Sequence, residues 1–98
     1  MSKYVYISGP VTGTNDYHLR FKDGCEEVRK MGYEPINPIS AAIHFPKTMD
    51  WSGYMMIALE QLRNADAIYM LPGWRNSNGA RCEYYFAKGM GKEILNED

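Results

Sequence analysis

A three-layer α/β sandwich on a small, mainly parallel sheet of about four strands is the fold class this sequence predicts, and three observations predict it. Short β-rich runs alternate with amphipathic stretches of helix length along the whole chain. The run Ala67-Ile68-Tyr69-Met70-Leu71 is apolar without interruption, as a strand covered on both faces by helices must be. Turn-forming pairs, Gly9-Pro10 and Pro72-Gly73, follow directly on two of the runs, so the chain leaves the sheet there.

The elements follow in order. Tyr4 to Ser8 is a first strand that breaks into the loop GPVTG. Asn15 or Asp16 caps a helix in which Tyr17, Phe21, Cys25 and Val28 recur at helical spacing until Gly32 stops it. Tyr33 to Ile36 is a weak second strand, because Pro35 lacks a ladder donor and belongs at a sheet edge or strand start. Asn37 to Asp50, with Pro38, Pro46 and only scattered apolar residues, is a long connection of the kind that serves a site, with the makings of a lid. Ser52 caps a second helix with Met55, Ala58, Leu59 and Leu62 as its inward stripe, ending before Asp66. Ala67 to Leu71 is the central strand, a third helix from about Asn78 to Lys88 is stopped by Gly89 and Gly91, and Glu93 to Leu95 closes the sheet.

At 98 residues the chain is expected to form one domain, 1–98, since a second could not bury its own core. Lysine and arginine number 11 and aspartate and glutamate 12, a net charge of -1 with no block of one sign. That balance excludes a nucleic-acid groove or a basic membrane face and leaves a small molecule as the expected partner. Cys25 and Cys82 lie far apart in no CxxC or CxxH pattern, so they read as reduced, largely buried thiols. His18 and His44 form no metal-ligand pair, and neither metal nor cofactor is expected. Met1-Ser2-Lys3 runs straight into YVYIS with no charged leader and apolar segment, and no stretch reaches the ~20 apolar residues of a membrane span. A soluble, cytoplasmic protein is expected.

In parallel α/β sheets the ligand sits at the carboxyl ends of the strands, which here carry GPVTG and PGWRNSNG. These stretches offer Gly9, Pro10, Trp74, Asn76, Ser77, Asn78 and Gly79 as binding candidates. In the third helix Ser77 or Asn78 fits the cap, and Gly79 and Glu83 share a face four residues apart. Because Cα–Cβ bonds tilt toward the helix N-terminus, the Glu83 carboxylate leans over the strand ends. It is read either as a catalytic carboxylate or, as is usual in the second turn of a helix, as a solvated residue or a salt-bridge partner, with Arg81 close by. The free amides at the helix start suit an anion, so a phosphate between Ser8-Gly9-Pro10 and Ser77-Asn78-Gly79 is expected to favour monophosphates. Trp51 and Trp74 suit a core and a base-stacking role equally. Asp50, Glu60 and Asp66 read as cap or surface carboxylates.

Taken together, YISGPVTG, LEQLRNADAIYMLPGW and SNGARCEYYFAKGMGK resemble the nucleoside 2-deoxyribosyltransferase-like superfamily, and most closely its small phage and bacterial branch, the domain of unknown function 4406. The resemblance runs from Tyr4 to Ile94. It implies a flavodoxin-like fold and cleavage of the N-glycosidic bond of a deoxynucleoside or its monophosphate. By the same resemblance Glu83 matches the nucleophile, and Ser77 the position that contacts a 5'-phosphate. Ser8, Gly9 and Pro10 match the first-strand loop bordering the pocket, and Tyr6 lies in the strand that supplies an aromatic residue to some transferase sites. A carboxylate attacking the anomeric carbon gives a covalent glycosyl-enzyme, which water or a second base then releases.

One position departs from that pattern. Superfamily enzymes commonly read D-L-x-x-L-x-x-A-D ahead of the central strand, whereas this chain reads A-L-E-Q-L-R-N-A-D, with Ala58 in place of the first aspartate. A methyl group neither protonates a leaving base nor orients a sugar, so Asp50 or Asp16, both near the strand ends, is expected to stand in, while Glu60 should point elsewhere. The expected function is therefore an N-glycosidic hydrolase or transferase, the alternative being a nucleotide- or nucleotide-sugar-binding module without chemistry. A homodimer or larger assembly is also expected, from the short edge strand and the abundant aromatics and methionines.

Overall fold

The computed structural model describes residues 3–42 and 44–98; Met1 and Ser2, ahead of the first strand, and Ile43, inside the predicted connection, lie outside the described residues. Its elements are β1 (Tyr4–Ser8), α1 (Tyr17–Lys30), β2 (Glu34–Ile36), α2 (Pro38–Ala42), α3 (Trp51–Arg63), β3 (Ala67–Met70), a 3-10 turn (Trp74–Asn76), α4 (Asn78–Gly89) and β4 (Glu93–Leu95). All strand pairs are parallel, in the order β2-β1-β3-β4. The chain leaves β1 toward one edge and returns on its other side as β3, so the strand order reverses between the two central strands. Ligands of open α/β sheets lie outside the carboxyl ends at such a point.

Side-chain alternation along β1 divides the core in two. Val5 and Ile7 join Ala67, Tyr69 and Leu71 against Phe21, Cys25 and Val28 of α1. Tyr6 joins Ile68 and Met70 on the opposite face, against Ala58 and Leu62 of α3 and Ala80, Tyr84 and Ala87 of α4. The result is the three-layer α/β arrangement that the uninterrupted strand 67–70 requires, with every residue of β3 buried. Among the described residues no helix is long and apolar enough to cross a membrane.

Several local expectations are corrected. The cap of α3 is Asp50, whose Oδ1 accepts from the Gly53 amide at 2.8 Å and from Ser52 Oγ at 3.0 Å; Ser52 already lies inside the helix. Asp16 occupies the cap position of α1, but its side chain makes no capping bond and pairs with Arg20 at 3.2 Å instead. The connection 37–50 contains the short helix α2, which begins with Pro38 in its first position while Asn37 Oδ1 accepts from the Ile39 amide. Cys25 is buried as expected but Cys82 is exposed, because α4 buries Ala80, Glu83, Tyr84 and Ala87 and turns position 82 to the outer face. At the far end of α3, Lys92 Nζ donates to the carbonyls of Arg63 and Ala65, satisfying groups the helix leaves free.

Leu71 wedges between β1 and α1, and this fixes one glycine. A Cβ on Gly9 would stand 2.7 Å from Leu71 Cβ, inside van der Waals contact with an atom next to the backbone. Gly9→Ala should therefore cost about 1–3 kcal/mol, as overpacked core sites do, and lower the melting temperature by several degrees. A thermal melt matching wild type would contradict this close approach.

Candidate active site

Tyr6 and Ser8 stand two residues apart on β1 and so present their side chains to the same side of the sheet. On that side lies α4, whose start is fixed by Ser77: its Oγ accepts from the Ala80 amide at 3.2 Å. Glu83, in the second turn, then falls directly above β1. Tyr6 Oη donates to Glu83 Oε2 at 2.7 Å, and Ser8 Oγ donates to Oε1 at 2.6 Å. Only 6% of Glu83 is exposed. Burial pushes its carboxyl up to about 7, against the pull of the Ser8 and Tyr6 hydroxyls, which favour the charged form.

This geometry excludes an ion pair between Glu83 and Arg81. Arg81 points away from it, donating to Asn78 Oδ1 at 2.5 Å and to the Arg75 carbonyl at 3.4 Å. The carboxylate is held by two neutral donors and is neither solvated nor paired with a cation among the described residues.

Glu83 opens onto a cavity of about 260 Å³, just below the range usual for small-molecule sites, ~300–1,000 Å³. Of the residues expected at a site, Tyr6, Gly9, Asp50, Ser77, Gly79 and Glu83 line it, and Ser8 reaches it through Glu83. Pro10, Asp16, Trp74, Asn76 and Asn78 do not. Trp74 is the clearest displacement: Gly73, at φ 86°, turns the chain so that the indole is buried against Tyr84, ring centroids 4.4 Å apart, with Nε1 donating to the Glu97 carbonyl. It packs rather than binds. Asp16 is exposed on α1, and Asn76 and Asn78 are exposed on the outer side of the turn and helix start.

The family model Domain of unknown function (DUF4406) matches residues 3–96. The chain belongs to the DUF4406 family. No curated protein matches it. The DUF4406 match takes in the whole cavity, from Tyr6 and Ser8 to Glu83.

Tyr54 was not among the residues expected at this DUF4406 site, and Trp51, open between a core and a base-stacking role, stands at its rim. Tyr54 lines the cavity one helical turn before Ala58, and burial, followed by the nearby Glu83 charge, pushes its hydroxyl up to about 12. Ala58 itself is packed into the core, 2% exposed, while Tyr54 projects from the same side of α3 into the open space. Trp51, half exposed, forms an aromatic rim whose Nε1 lies 4.0 Å from where a Cβ of Gly79 would stand. The i, i+4 relation of Tyr54 to Ala58 was the available signal. Asp50 also lines the cavity, but the Gly53 amide and the Ser52 hydroxyl hold its carboxyl below the usual range, so at neutral pH it carries charge and no proton. Glu60 points outward and pairs with Arg63, and Asp66 accepts from the Tyr4 amide.

Proposed function

We propose that this protein cleaves the N-glycosidic bond of a nucleoside, by hydrolysis or by transfer, with Glu83 as nucleophile. The observation that carries this reading is a buried carboxylate with each oxygen fixed by a hydroxyl and one side facing a cavity of about 260 Å³. Glu83 in its ionised form attacks the anomeric carbon from the face opposite the base, and the C–N bond breaks as the ester forms. Water or a second base then attacks the same carbon, the carboxylate departs, and configuration is retained. Ser8 and Tyr6 hold both oxygens through the cycle, so the nucleophile spends no entropy on orientation.

The test is covalent trapping. A nucleoside fluorinated at the sugar 2 position should leave a mass increment on the peptide containing Glu83, because the fluorine slows release of the ester. Absence of both adduct and turnover between pH 6 and pH 9 would overturn the proposal and leave the binding module, the second reading. That second reading draws on Ala58 in the core and on Asp50 engaged as a cap, which leave the cavity short of a proton donor.

Self-association belongs to the same proposal. Trp51, Met56, Tyr85 and Met90 leave large apolar area exposed on a small chain. Light scattering should give at least a dimer at micromolar concentration; a monomer there would exclude it.

A further inference from the structure

We infer that the preferred substrates are nucleosides whose base already carries a fixed positive charge, N-alkylpurinium or pyridinium glycosides, with neutral nucleosides cleaved poorly. This rests on the glycosidic reading above. Three observations lead to it.

The first is the missing acid. A neutral base leaves an anomeric carbon as an anion unless it is protonated on departure, which is the task of a general acid. Ala58 presents a methyl group in the core, the Asp50 carboxylate is tied to the start of α3 by two donors, and the Tyr6 hydroxyl is committed to Glu83. Tyr54, the remaining hydroxyl of a titratable side chain in the cavity, releases its proton only near 12. A cationic base needs none of them. As Glu83 bonds to the anomeric carbon, the electron pair of the C–N bond passes to the ring nitrogen, cancels the positive charge and lets the base leave as a neutral molecule. Water then attacks the anomeric carbon, the C–O bond to Glu83 breaks and Glu83 leaves as carboxylate, and a proton of the water is lost to solvent.

The second observation is charge. The charged side chains lining the cavity are Asp50 and Glu83, both acidic. Among the described residues no arginine or lysine lines it: Arg81 bonds to Asn78 and the Arg75 carbonyl, Arg75 lies over the Trp74 ring at 4.5 Å, and Arg20, in the pocket on the other face, pairs with Asp16. Of the two hydroxyls best placed for a phosphate, Ser8 gives its proton to Glu83, while Ser77 accepts from the Ala80 amide and keeps an O–H to donate. The cavity therefore attracts a cation and repels a dianion.

The third is the wall. Trp51 at the rim and Tyr54 and Phe21 inside give the cavity aromatic surface, and a planar cation gains from aromatic faces as well as from carboxylates.

Paired substrates test the inference: 7-methylguanosine against guanosine, and nicotinamide riboside as the pyridinium arm, each with wild type and Glu83→Gln. The expected result is a kcat/KM for at least one cationic substrate ~100-fold or more above that of guanosine, the span a general acid would otherwise supply, and lost in Glu83→Gln. Which arm responds distinguishes purinium from pyridinium recognition. Asp50→Asn, which keeps a capping side chain, should raise KM for the cationic substrate several-fold and leave its kcat largely intact. Guanosine cleaved as fast as 7-methylguanosine in a Glu83-dependent reaction would overturn the charge preference while leaving the glycosidase standing. No turnover of any of the three, with no adduct on Glu83, would remove both.

Discussion

Glu83→Gln should lower turnover by roughly 10,000-fold or more and at the same time make the folded chain more stable above neutral pH. The loss follows from removing the nucleophile, since an amide oxygen forms no stable glycosyl ester. The gain follows from linkage. Folding raises the Glu83 carboxyl from 4.5 to about 7, so the folded state binds its proton more tightly than the unfolded state does. The stabilisation this brings is fully present below pH 4.5 and is lost as pH rises through about 7. Above that point the buried charge costs about 3 kcal/mol relative to the protonated form. Glutamine carries no such charge, and against this stands about 1 kcal/mol where its NH2 group faces a hydroxyl that formerly donated to a carboxylate. Urea unfolding at pH 5 and pH 8 should show wild type falling between the two, with the variant holding its stability. Equal pH dependence in both proteins would mean that Glu83 is not the buried charge described.

Ser8→Ala should move the pH–rate profile. Ser8 is fully buried, and its hydroxyl favours the ionised form of Glu83 through a charge-assisted hydrogen bond worth about 1.5–3 kcal/mol. Its loss should raise the Glu83 carboxyl a further 1–2 units, lower kcat/KM at pH 7 about 5- to 50-fold because half of the wild-type carboxyl is already protonated there, and allow recovery toward pH 9. Tyr6→Phe should act in the same direction from the other oxygen. A profile that drops uniformly at every pH, with its midpoint unmoved, would show that the two hydroxyls serve the fold alone.

Much of this arrangement is legible in the sequence because it depends on local periodicity. The alternation in β1, the apolar run of β3 and the Ser77 cap each constrain a side chain's direction, and together they bring Glu83 toward the strand ends. The partnership with Tyr6 and Ser8 was legible only as proximity: both were expected at the pocket, but the pairing of two strand residues with one helix residue depends on how α4 lies across β1, a distance of more than seventy residues along the chain. Trp74 stayed open between a core and a base-stacking role because one left-handed glycine decides whether the indole faces the cavity or Tyr84 of α4. The role expected of Asp16 required a loop to bring it inward, and the ion pair with Arg20 keeps it on its own helix. Asp50 reached the cavity, yet its capping bonds, set by the start of α3 two residues earlier than expected, change what its carboxyl can do.

The contrasting positions of the two tryptophans have a practical consequence. Trp74 is sealed against Tyr84 and the Glu97 backbone, whereas Trp51 stands half exposed at the mouth of the cavity. Emission from Trp74 should thus be blue-shifted and indifferent to added small molecules, while that from Trp51 should be red-shifted and quenched by any ring that stacks on it. The protein carries its own optical reporter: titration of unlabelled ligands, followed at the red edge of the emission band, reads occupancy of the cavity directly, and Trp74→Phe would remove the silent background.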